Sequence, residues 1–401
     1  MKYLILGGGP AGLTLANFLL QHGEDDFLLL EKESEVGGLC RSRDIDRAPL
    51  DIGGGHFLDT RRPHVCEFLF QFLPQSEWSL YERNSKIRYK GVLLDHPFES
   101  NIWQMSLEDQ VDFLKSIAQA GCNSGSEKPE RFIEWISWKL GEKIAEEYML
   151  PYNRKMFGDE LNELGTYWLE KLPNVSFEDT LRSCLMHHAY GEEPGHSTFY
   201  YPKKYGYGEV WIRMGVSLGS RLRCDKSAIW IDFGTRQVGT QDGEVYQADA
   251  IITTVPWRSF QVVRGISEDM QAEILNLKHS AVCIDYSEES LDTDAHWIYY
   301  PDLKLSYHRI LVRHNFLQGS RGYWMETNMN RAPRTDGIRF VNEYAYPLNT
   351  LQKPAIMERL LSYARECDIY GLGRWGEHSH YNSDVTVEKA MELADRLLRK
   401  N

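Results

Sequence analysis

The 401-residue sequence has no apolar run of the roughly 20 residues that a membrane-spanning helix needs. Its N-terminal stretch, MKYLILGGGPAGLTLANFLL, is apolar, but glycines interrupt it and no small-residue cleavage site follows. Internal repeats and low-complexity tracts are also missing. We therefore expect a cytoplasmic protein without a membrane span and, at this length, with more than one domain.

Cysteine is sparse, and positive charge is in deficit. The seven cysteines are scattered and form no CxxC pair, which predicts reduced thiols and excludes a disulfide framework. Lys and Arg number 45 against 58 Asp and Glu, a net charge of -13 that argues against nucleic-acid binding. His378 and His380 lie far from any Cys or carboxylate cluster, so we predict no metal.

The segment KYLILGGGPAGLTLANFLLQHG is typical of a dinucleotide-binding turn between a strand and a helix. In the G-x-G-x-x-G pattern the first glycine makes a tight turn, the second lets a pyrophosphate approach the backbone, and the third lets the helix pack on the strand. About 20 residues later a glutamate ends the next apolar stretch, where a carboxylate can bind ribose hydroxyls. The candidate cofactor-binding residues here are Gly7, Gly9, Pro10, Ala11, Gly12, Glu31 and Lys32.

Two more glycine-rich stretches, SEVGGLCRSR and LDIGGGHF, follow closely. They let backbone lie against a phosphate and against a flat ring. Together with the first motif they resemble FAD-binding flavoproteins of the amine oxidase and UDP-galactopyranose mutase group, which implies FAD as cofactor. Further candidate cofactor-binding residues are Gly38, Leu39, Arg41, Ser42, Gly54, Gly55, His56 and Ala228.

Several segments resemble UDP-galactopyranose mutases in the same order along the chain. They are LDHPFESNI, LPYNRKMFG, YHRILVRHNF, NEYAYPLN and GRWGEHSHYNSD. The resemblance implies that His56 lies beside the isoalloxazine and that Arg309 and Tyr344 bind a substrate diphosphate. It also implies that Gly373 and Arg374 form a clamp for the cofactor pyrophosphate. We therefore take His56 and Arg309 as candidate catalytic residues.

The sequence departs from the mutase pattern at the positions expected to bind substrate. Phe157 replaces a tryptophan, and His378-Ser379-His380 replaces a tyrosine pair around an arginine. The position of a mobile-loop arginine falls on Asn174 or Val175. We hypothesise that His380 donates a hydrogen bond to a substrate phosphate in place of the tyrosine. The candidate substrate-binding residues are Phe157, Arg309, Tyr344 and His380.

The predicted fold is α/β, with a discontinuous Rossmann-type FAD-binding domain, a helical insertion and an antiparallel β-sheet substrate domain. We assign residues 1–78, 204–265 and 350–401 to the FAD-binding domain and residues 99–203 to the helical insertion. Residues 79–98 and 266–349 are assigned to the sheet. We expect the substrate cleft to lie between these layers.

Three functions fit these observations. The first is a mutase-like flavoenzyme that acts through reduced flavin on a nucleotide-linked sugar, as in polysaccharide biosynthesis. The second is an FAD-dependent oxidoreductase of the amine oxidase or protoporphyrinogen oxidase type. The third is a flavin-binding protein without turnover. A small-molecule substrate is the expected partner, and an electron donor such as NAD(P)H would be another if the flavin must be reduced.

Overall fold

The computed structural model describes residues 1–169, 175–191 and 197–400. Its first apolar segment forms a strand, and the glycine turn after it leads into a helix, as the sequence predicts. The strands are β1 Tyr3–Leu6, β2 Phe27–Leu30, β3 Ser42–Ile45, β4 Ala48–Asp51, β5 Leu58–Asp59, β6 Trp78–Glu82, β7 Ser85–Tyr89, β8 Val92–Asp95, β9 Thr198–Pro202, β10 Leu222–Arg223, β11 Ala228–Asp232, β12 Gln237–Thr240, β13 Val245–Gln247, β14 Ala250–Thr253, β15 Val262–Arg264, β16 His279–Ser287, β17 Trp297–Tyr299, β18 Arg309–Val312, β19 Tyr323–Asn328, β20 Arg339–Pro347 and β21 Ile369–Gly371.

The helices occur on both sides of the sheets and in a block between residues 107 and 186. A π-helical turn, Ala145–Met149, joins two of them. They are α1 Pro10–Gln21, α2 Pro63–Phe70, α3 Leu107–Ala118, α4 Gly121–Ser124, α5 Phe132–Leu140, α6 Glu142–Ile144, α7 Leu150–Phe157, α8 Phe177–Met186, α9 Gly208–Val216, α10 Glu268–Leu275, α11 Lys353–Glu366, α12 Gly373–Gly376 and α13 Ser383–Arg399.

A five-stranded parallel sheet, in the order β10-β2-β1-β14-β21, carries the first motif. All four residues of β1 are buried, as expected of a parallel strand that helices cover on both faces. The strands come from both ends of the chain and from its middle. This arrangement confirms the discontinuous Rossmann-type prediction. The last helix, α13, packs on α1.

A seven-stranded sheet, in the order β20-β16-β19-β18-β17-β7-β8, forms the second layer. Its pairs are antiparallel except for β17 and β7, which run parallel. Within the segment 79–98, β7 and β8 join this sheet, whereas β6 pairs with β9 in a separate three-stranded sheet. The antiparallel prediction is therefore confirmed apart from this one pair, and the boundaries of the three predicted domains stay predictions.

The helical block forms because its sequence combines capped helix starts with buried aromatic residues. The Ser106 side chain accepts a hydrogen bond from the Asp109 amide at the start of α3, and Ser176 forms a capping box with Asp179 at the start of α8. Phe113 and Phe132 are fully buried in the shared core. The block covers the side of the seven-stranded sheet where α7 contacts β19.

Candidate functional site

The G-x-G-x-x-G turn has the geometry that a dinucleotide needs. Gly7 has φ +100°, a conformation that side chains disfavour. A Cβ at Gly12 would lie 2.0 Å from the Gly7 carbonyl oxygen, so only glycine lets α1 approach the strand this closely. The first and third glycines are therefore structural requirements, as the motif predicts.

The second glycine leaves a gap. A Cβ at Gly9 would meet only the Gly38 Cα, at 3.8 Å, so two glycine loops face each other without a side chain between them. The N-terminus of the 12-residue helix α1 opens at this point, and it has no acidic residue in its first turn and no side-chain cap. Unpaired helix N–H groups favour an anion. The residues present therefore fit a cofactor pyrophosphate.

Glu31 directly follows β2, at the position predicted for the ribose contact. Its carboxylate accepts hydrogen bonds from the Gly8 amide at 2.6 Å and the Glu33 amide at 2.9 Å. Burial raises the pKa of this carboxyl above its usual range. Lys32 does not share this position, because its side chain is exposed and lies 3.5 Å from Glu33.

The remaining candidates around this loop are Arg41, Ser42 and Ala228, and the contacts that they or their neighbours make are to other residues of the chain. Arg41 donates to the Gly38 carbonyl at 3.0 Å, and the Ser42 hydroxyl donates to Asp51 at 2.6 Å. Ala228 begins β11, two residues after Lys226, whose amide donates to the Glu31 carbonyl. These contacts place all three near the loop, and any cofactor contact by their side chains stays a prediction.

A line of glycines, which we call the cofactor track, runs from the first loop toward the second sheet. It consists of Gly9, Gly38, Gly53 and Gly54. A Cβ at Gly53 would lie 1.8 Å from the Leu39 carbonyl oxygen, and one at Gly54 would lie 2.8 Å from a Glu326 carboxylate oxygen. The turn at residues 53–54 is therefore in direct contact with the Leu39 backbone and with β19. An extended dinucleotide lying along this track would reach from α1 to β19.

A cleft of about 240 Å³, partly open to solvent, begins at residues 53–57. It passes between the second sheet and the loop that leads into α13. Aromatic residues form part of its wall, and five basic residues form another part. The aromatic residues are Phe57, Trp297, Tyr299 and Tyr346, and the basic residues are His56, Arg83, Arg309, Arg374 and His380.

The charge of the cleft is opposite to that of the chain. Three arginines and two histidines line it, and among the described residues no Asp or Glu side chain does. The whole sequence carries a net charge of -13. A cationic cleft in an acidic protein attracts anionic ligands and focuses them at one place.

Arg309 and Glu326 form a cross-strand pair, because β18 and β19 place them directly opposite each other. Arg309 Nε lies 3.2 Å and Nη2 lies 2.5 Å from the same carboxylate oxygen. Burial alone would raise the pKa of Glu326, but Arg309 and the neighbouring His308 outweigh it and hold that pKa at about 2. The pair is ionised at neutral pH, so Arg309 is both a cleft residue and an ion-pair partner.

His56 lies at the predicted place, at the end of the third glycine stretch. Its Nδ1 is 3.0 Å from the Gly54 carbonyl oxygen. Because a carbonyl oxygen only accepts, the proton sits on Nδ1 and leaves Nε2 as an acceptor. Burial and the charge of Arg374 lower the pKa of His56 to about 4, so the ring is neutral at pH 7.

Gly373 lies against the start of α1, and the next residue, Arg374, lies in the wall of the cleft. A Cβ at Gly373, which has φ +73°, would lie 2.7 Å from the Ala11 Cβ at the start of α1. Arg374 lines the cleft and donates to the Tyr381 carbonyl at 2.8 and 3.0 Å and to the Ala345 carbonyl at 3.1 Å. A phosphate contact by Arg374 stays a prediction.

The structure places Tyr344 outside the lining of the cleft. This residue stacks on His279 at a centroid distance of 4.5 Å and does not line the cleft, whereas Tyr346 does. Ser280 faces Tyr346 and Val282 faces Asn342, so β20 contains extra residues between these two points. A bulge of this kind re-aims side chains. Tyr346, two residues later, is the tyrosine of β20 that lines the cleft, and substrate binding by Tyr344 stays a prediction.

Phe157 also lies outside the lining of the cleft, and substrate binding by it stays a prediction. Its side chain is buried and lies outside the cleft lining, and the neighbouring Met156 lines the cleft instead. His380 lies in the cleft with its ring 4.9 Å from Tyr346. Asn174 lies outside the described residues, and Val175 is buried.

Sequence reasoning missed Arg83, Tyr346 and Glu326. Arg83 lies between β6 and β7, more than 200 residues from β18, and no local pattern marks it. Glu326 does leave a signal. Trp324, Glu326 and Asn328 alternate along β19 and are all buried, so an acidic residue occupies an inward-facing strand position.

Metal-binding clusters and membrane-spanning helices were both considered in the described residues. Within those ranges we find no group of three or more His, Cys, Asp or Glu residues that could hold a metal ion. No helix in the described part of the chain is both long and apolar enough to cross a membrane.

The model of the flavin containing amine oxidoreductase family matches residues 10–284. The crystal structure of a reduced UDP-galactopyranose mutase superposes with a TM-score of 0.89 at 22% identity, covering 100% of this chain and 94% of that chain. A dTDP-fucopyranose mutase from Escherichia coli is 19% identical over 414 residues, covering 100% of this chain and 99% of the relative. A hydroxyneurosporene desaturase from Rubrivivax gelatinosus is 25% identical over 190 residues, which are 46% of this chain and only 34% of the relative's length.

Proposed function

The chain belongs to the flavin containing amine oxidoreductase family, with FAD as its cofactor, and on that premise we propose that it is an enzyme acting on a diphosphate-linked sugar. Membership of this family supports a flavin-dependent enzyme. The sugar substrate and the isomerase reaction are the proposed part. Relatives named as mutases of UDP-galactopyranose and dTDP-fucopyranose support this choice.

One observation carries the proposal: three arginine side chains line a cleft without a described carboxylate in its wall. An amine substrate would be repelled by this charge, whereas a diphosphate would be attracted. Arginine guanidinium groups bind phosphate oxygens through pairs of parallel hydrogen bonds. The aromatic wall beside them suits the flat faces of sugar and base rings.

The cofactor supplies redox-active ring chemistry that amino-acid side chains do not have. The residues of the chain would position the substrate against that ring. Arg309 would bind a phosphate oxygen while Glu326 holds the guanidinium in place. Burial raises the pKa of Tyr346 to about 12, so its hydroxyl stays protonated and can donate to a second oxygen. Neutral His56 would accept a hydrogen bond at Nε2.

A second candidate function is oxidation of a small molecule, and the Arg309–Glu326 pair favours it. The carboxylate neutralises much of the charge that a diphosphate would use. If Arg309 serves only this ion pair, the cleft has two arginines rather than three for an anion. Reduction of the bound flavin by a substrate without phosphate, and none by sugar nucleotides, would select this function.

The direct test is turnover. We expect protein purified with bound FAD and reduced by dithionite to interconvert the pyranose and furanose forms of UDP-galactose or of dTDP-fucose. The oxidised protein serves as the matched control and should be inactive. Denaturation should release the yellow flavin into the supernatant, because we propose that FAD is bound without a covalent link. Colourless protein that FAD cannot reconstitute, or reduced protein with no effect on either sugar nucleotide, would contradict the proposal.

A further inference from the structure

A second cavity, of about 330 Å³, lies next to the cleft. The two have one residue in common, Arg83, which lines both. The walls of the second cavity include Asn84, Asp95, His96, Asn101 and Trp103, which come from the β6–β7 turn, the end of β8 and the segment after it. None of these residues is assigned to a ligand by the resemblance.

Neighbouring side chains hold Arg83 at the boundary. Its Nε donates to the Ser85 hydroxyl at 2.8 Å, and its Nη2 donates to the Tyr299 hydroxyl at 2.8 Å. The guanidinium also lies over the Trp297 ring, 5.2 Å from its centroid. Tyr299 and Trp297 belong to the wall of the first cleft. Arg83 is therefore held at the boundary by residues of both cavities, Tyr299 and Trp297 of the first and Ser85 of the second.

The helical side offers less room for the rest of a large substrate. Phe157, the position that the resemblance assigns to substrate, is buried outside the cleft. Lys155 beside it is fully buried, and its ammonium donates to the Tyr300 carbonyl at 2.7 Å and the Asp302 carbonyl at 2.9 Å. These bonds tie α7 to the chain after β17. A ligand that extends beyond the cleft finds an open cavity on the Arg83 side.

We propose that Arg83 binds the substrate diphosphate from the side opposite Arg309, and that the second cavity binds the nucleoside. This inference rests on the proposed function, because it assumes that the sugar end of the substrate lies beside the flavin. A diphosphate placed between the two arginines has its sugar on one side and its nucleoside on the other. Arg83 then takes the part that an arginine of the mobile loop would have near Asn174 or Val175.

The walls of the second cavity have the chemistry that a nucleobase needs. Trp103 offers an indole face on which a planar base can stack. The Nδ1 atom of His96 is buried and has no hydrogen-bond partner in the described part of the chain. Burial and the charge of Arg83 lower the pKa of His96 to about 3, so its ring in the cavity wall is neutral at pH 7. An unpartnered buried nitrogen is costly unless a ligand or water completes it.

Calorimetric binding to the FAD-loaded protein tests this inference with UDP, dTDP and inorganic pyrophosphate as probes. Trp103→Ala should lower affinity for both nucleoside diphosphates by about tenfold or more and leave pyrophosphate affinity unchanged. Arg83→Gln should lower affinity for all three probes. The matched controls are Trp138→Ala and Arg88→Gln, a tryptophan and an arginine that line neither cavity, and these should bind like the wild type.

FAD content and the unfolding midpoint show whether each variant is folded, and Trp103→Phe, which keeps an aromatic face, should retain most of the affinity. Unchanged nucleoside diphosphate affinity in folded Trp103→Ala and Arg83→Gln would overturn the inference. If an Arg309 variant still loses affinity in that case, the proposed function survives and only the nucleoside site is wrong. If no diphosphate probe binds the wild type, both fall together.

Discussion

The cofactor track and the substrate cleft use opposite means of recognition. Along the track, from Gly9 past Gly38 to Gly54, the loops present backbone and have almost no side chains between them. In the cleft, side chains from separate strands and loops converge, and charge rather than space defines the site. Backbone recognition is fixed by local sequence, whereas side-chain recognition depends on how distant elements pack.

The difference explains why the cofactor was predictable and the substrate residues were less so. Each glycine turn lies within a few residues of sequence, so its spacing alone indicates its conformation. The cleft residues Arg83, Arg309 and His380 come from regions more than 70 residues apart. Their meeting is a property of the fold.

The largest effect should follow from blocking the close approach of α1 to the first glycine turn. Gly12→Val puts a side chain where even a Cβ lies 2.0 Å from a backbone oxygen, so we expect a loss of more than about 3 kcal/mol in stability and no folded FAD-bound protein. Gly9→Ala is the matched control, since its Cβ meets only an atom at 3.8 Å. It should fold normally but hold FAD weakly. Equal stability of the two variants would refute the structural role of Gly12.

The next effect is a pH dependence confined to the cleft. The folded-state pKa of Glu326 is about 2, below its ordinary value of 4.5, so the unfolded chain binds more protons as the pH falls. The stability that the ion pair contributes is present above about pH 4.5 and is lost toward pH 2. Between pH 5 and pH 3 we expect the wild type to lose roughly 2 kcal/mol more than the double variant Arg309→Gln/Glu326→Gln. Denaturant unfolding at each pH measures this, and parallel curves would exclude the pair as the cause.

The smallest effect distinguishes the two tyrosines of β20. Tyr346→Phe removes a hydroxyl that lines the cleft and should weaken UDP binding by about 1 kcal/mol. Tyr344→Phe alters a residue stacked on His279 and should leave UDP affinity unchanged. Calorimetry on both variants compares them directly. The reverse result would restore the position that the resemblance implies.

Much of the fold followed from the sequence because its signals are local. The β1–turn–α1–β2 unit, the parallel strand β14 and the closing helix α13 each show a periodicity or glycine pattern within about 20 residues. His56, Arg309, Arg374 and His380 were predicted from motifs, and the structure brings all four to one cleft.

Several features of the cleft have no local signal in the sequence. The register of β20 shifts between Asn342 and Tyr346, and Tyr346 rather than Tyr344 lines the cleft. In α7, Met156 rather than Phe157 lines the cleft. A π-helical turn precedes this helix, and its Lys155 is buried. Arg83 needs the β7–β17 pairing to reach Tyr299, and that parallel pair was not predicted.

The central claim is that the cleft beside the cofactor track binds a diphosphate through Arg309. The most direct measurement compares the affinities of FAD-loaded protein for UDP and for uridine, in the wild type and in Arg309→Gln/Glu326→Gln. The double variant leaves neither charge of the pair buried alone. We expect UDP to bind the wild type at least about 150-fold more tightly than uridine, and this preference to shrink by about 1.5–3 kcal/mol in the variant with FAD content unchanged. Equal affinities for UDP and uridine in the wild type would contradict the claim.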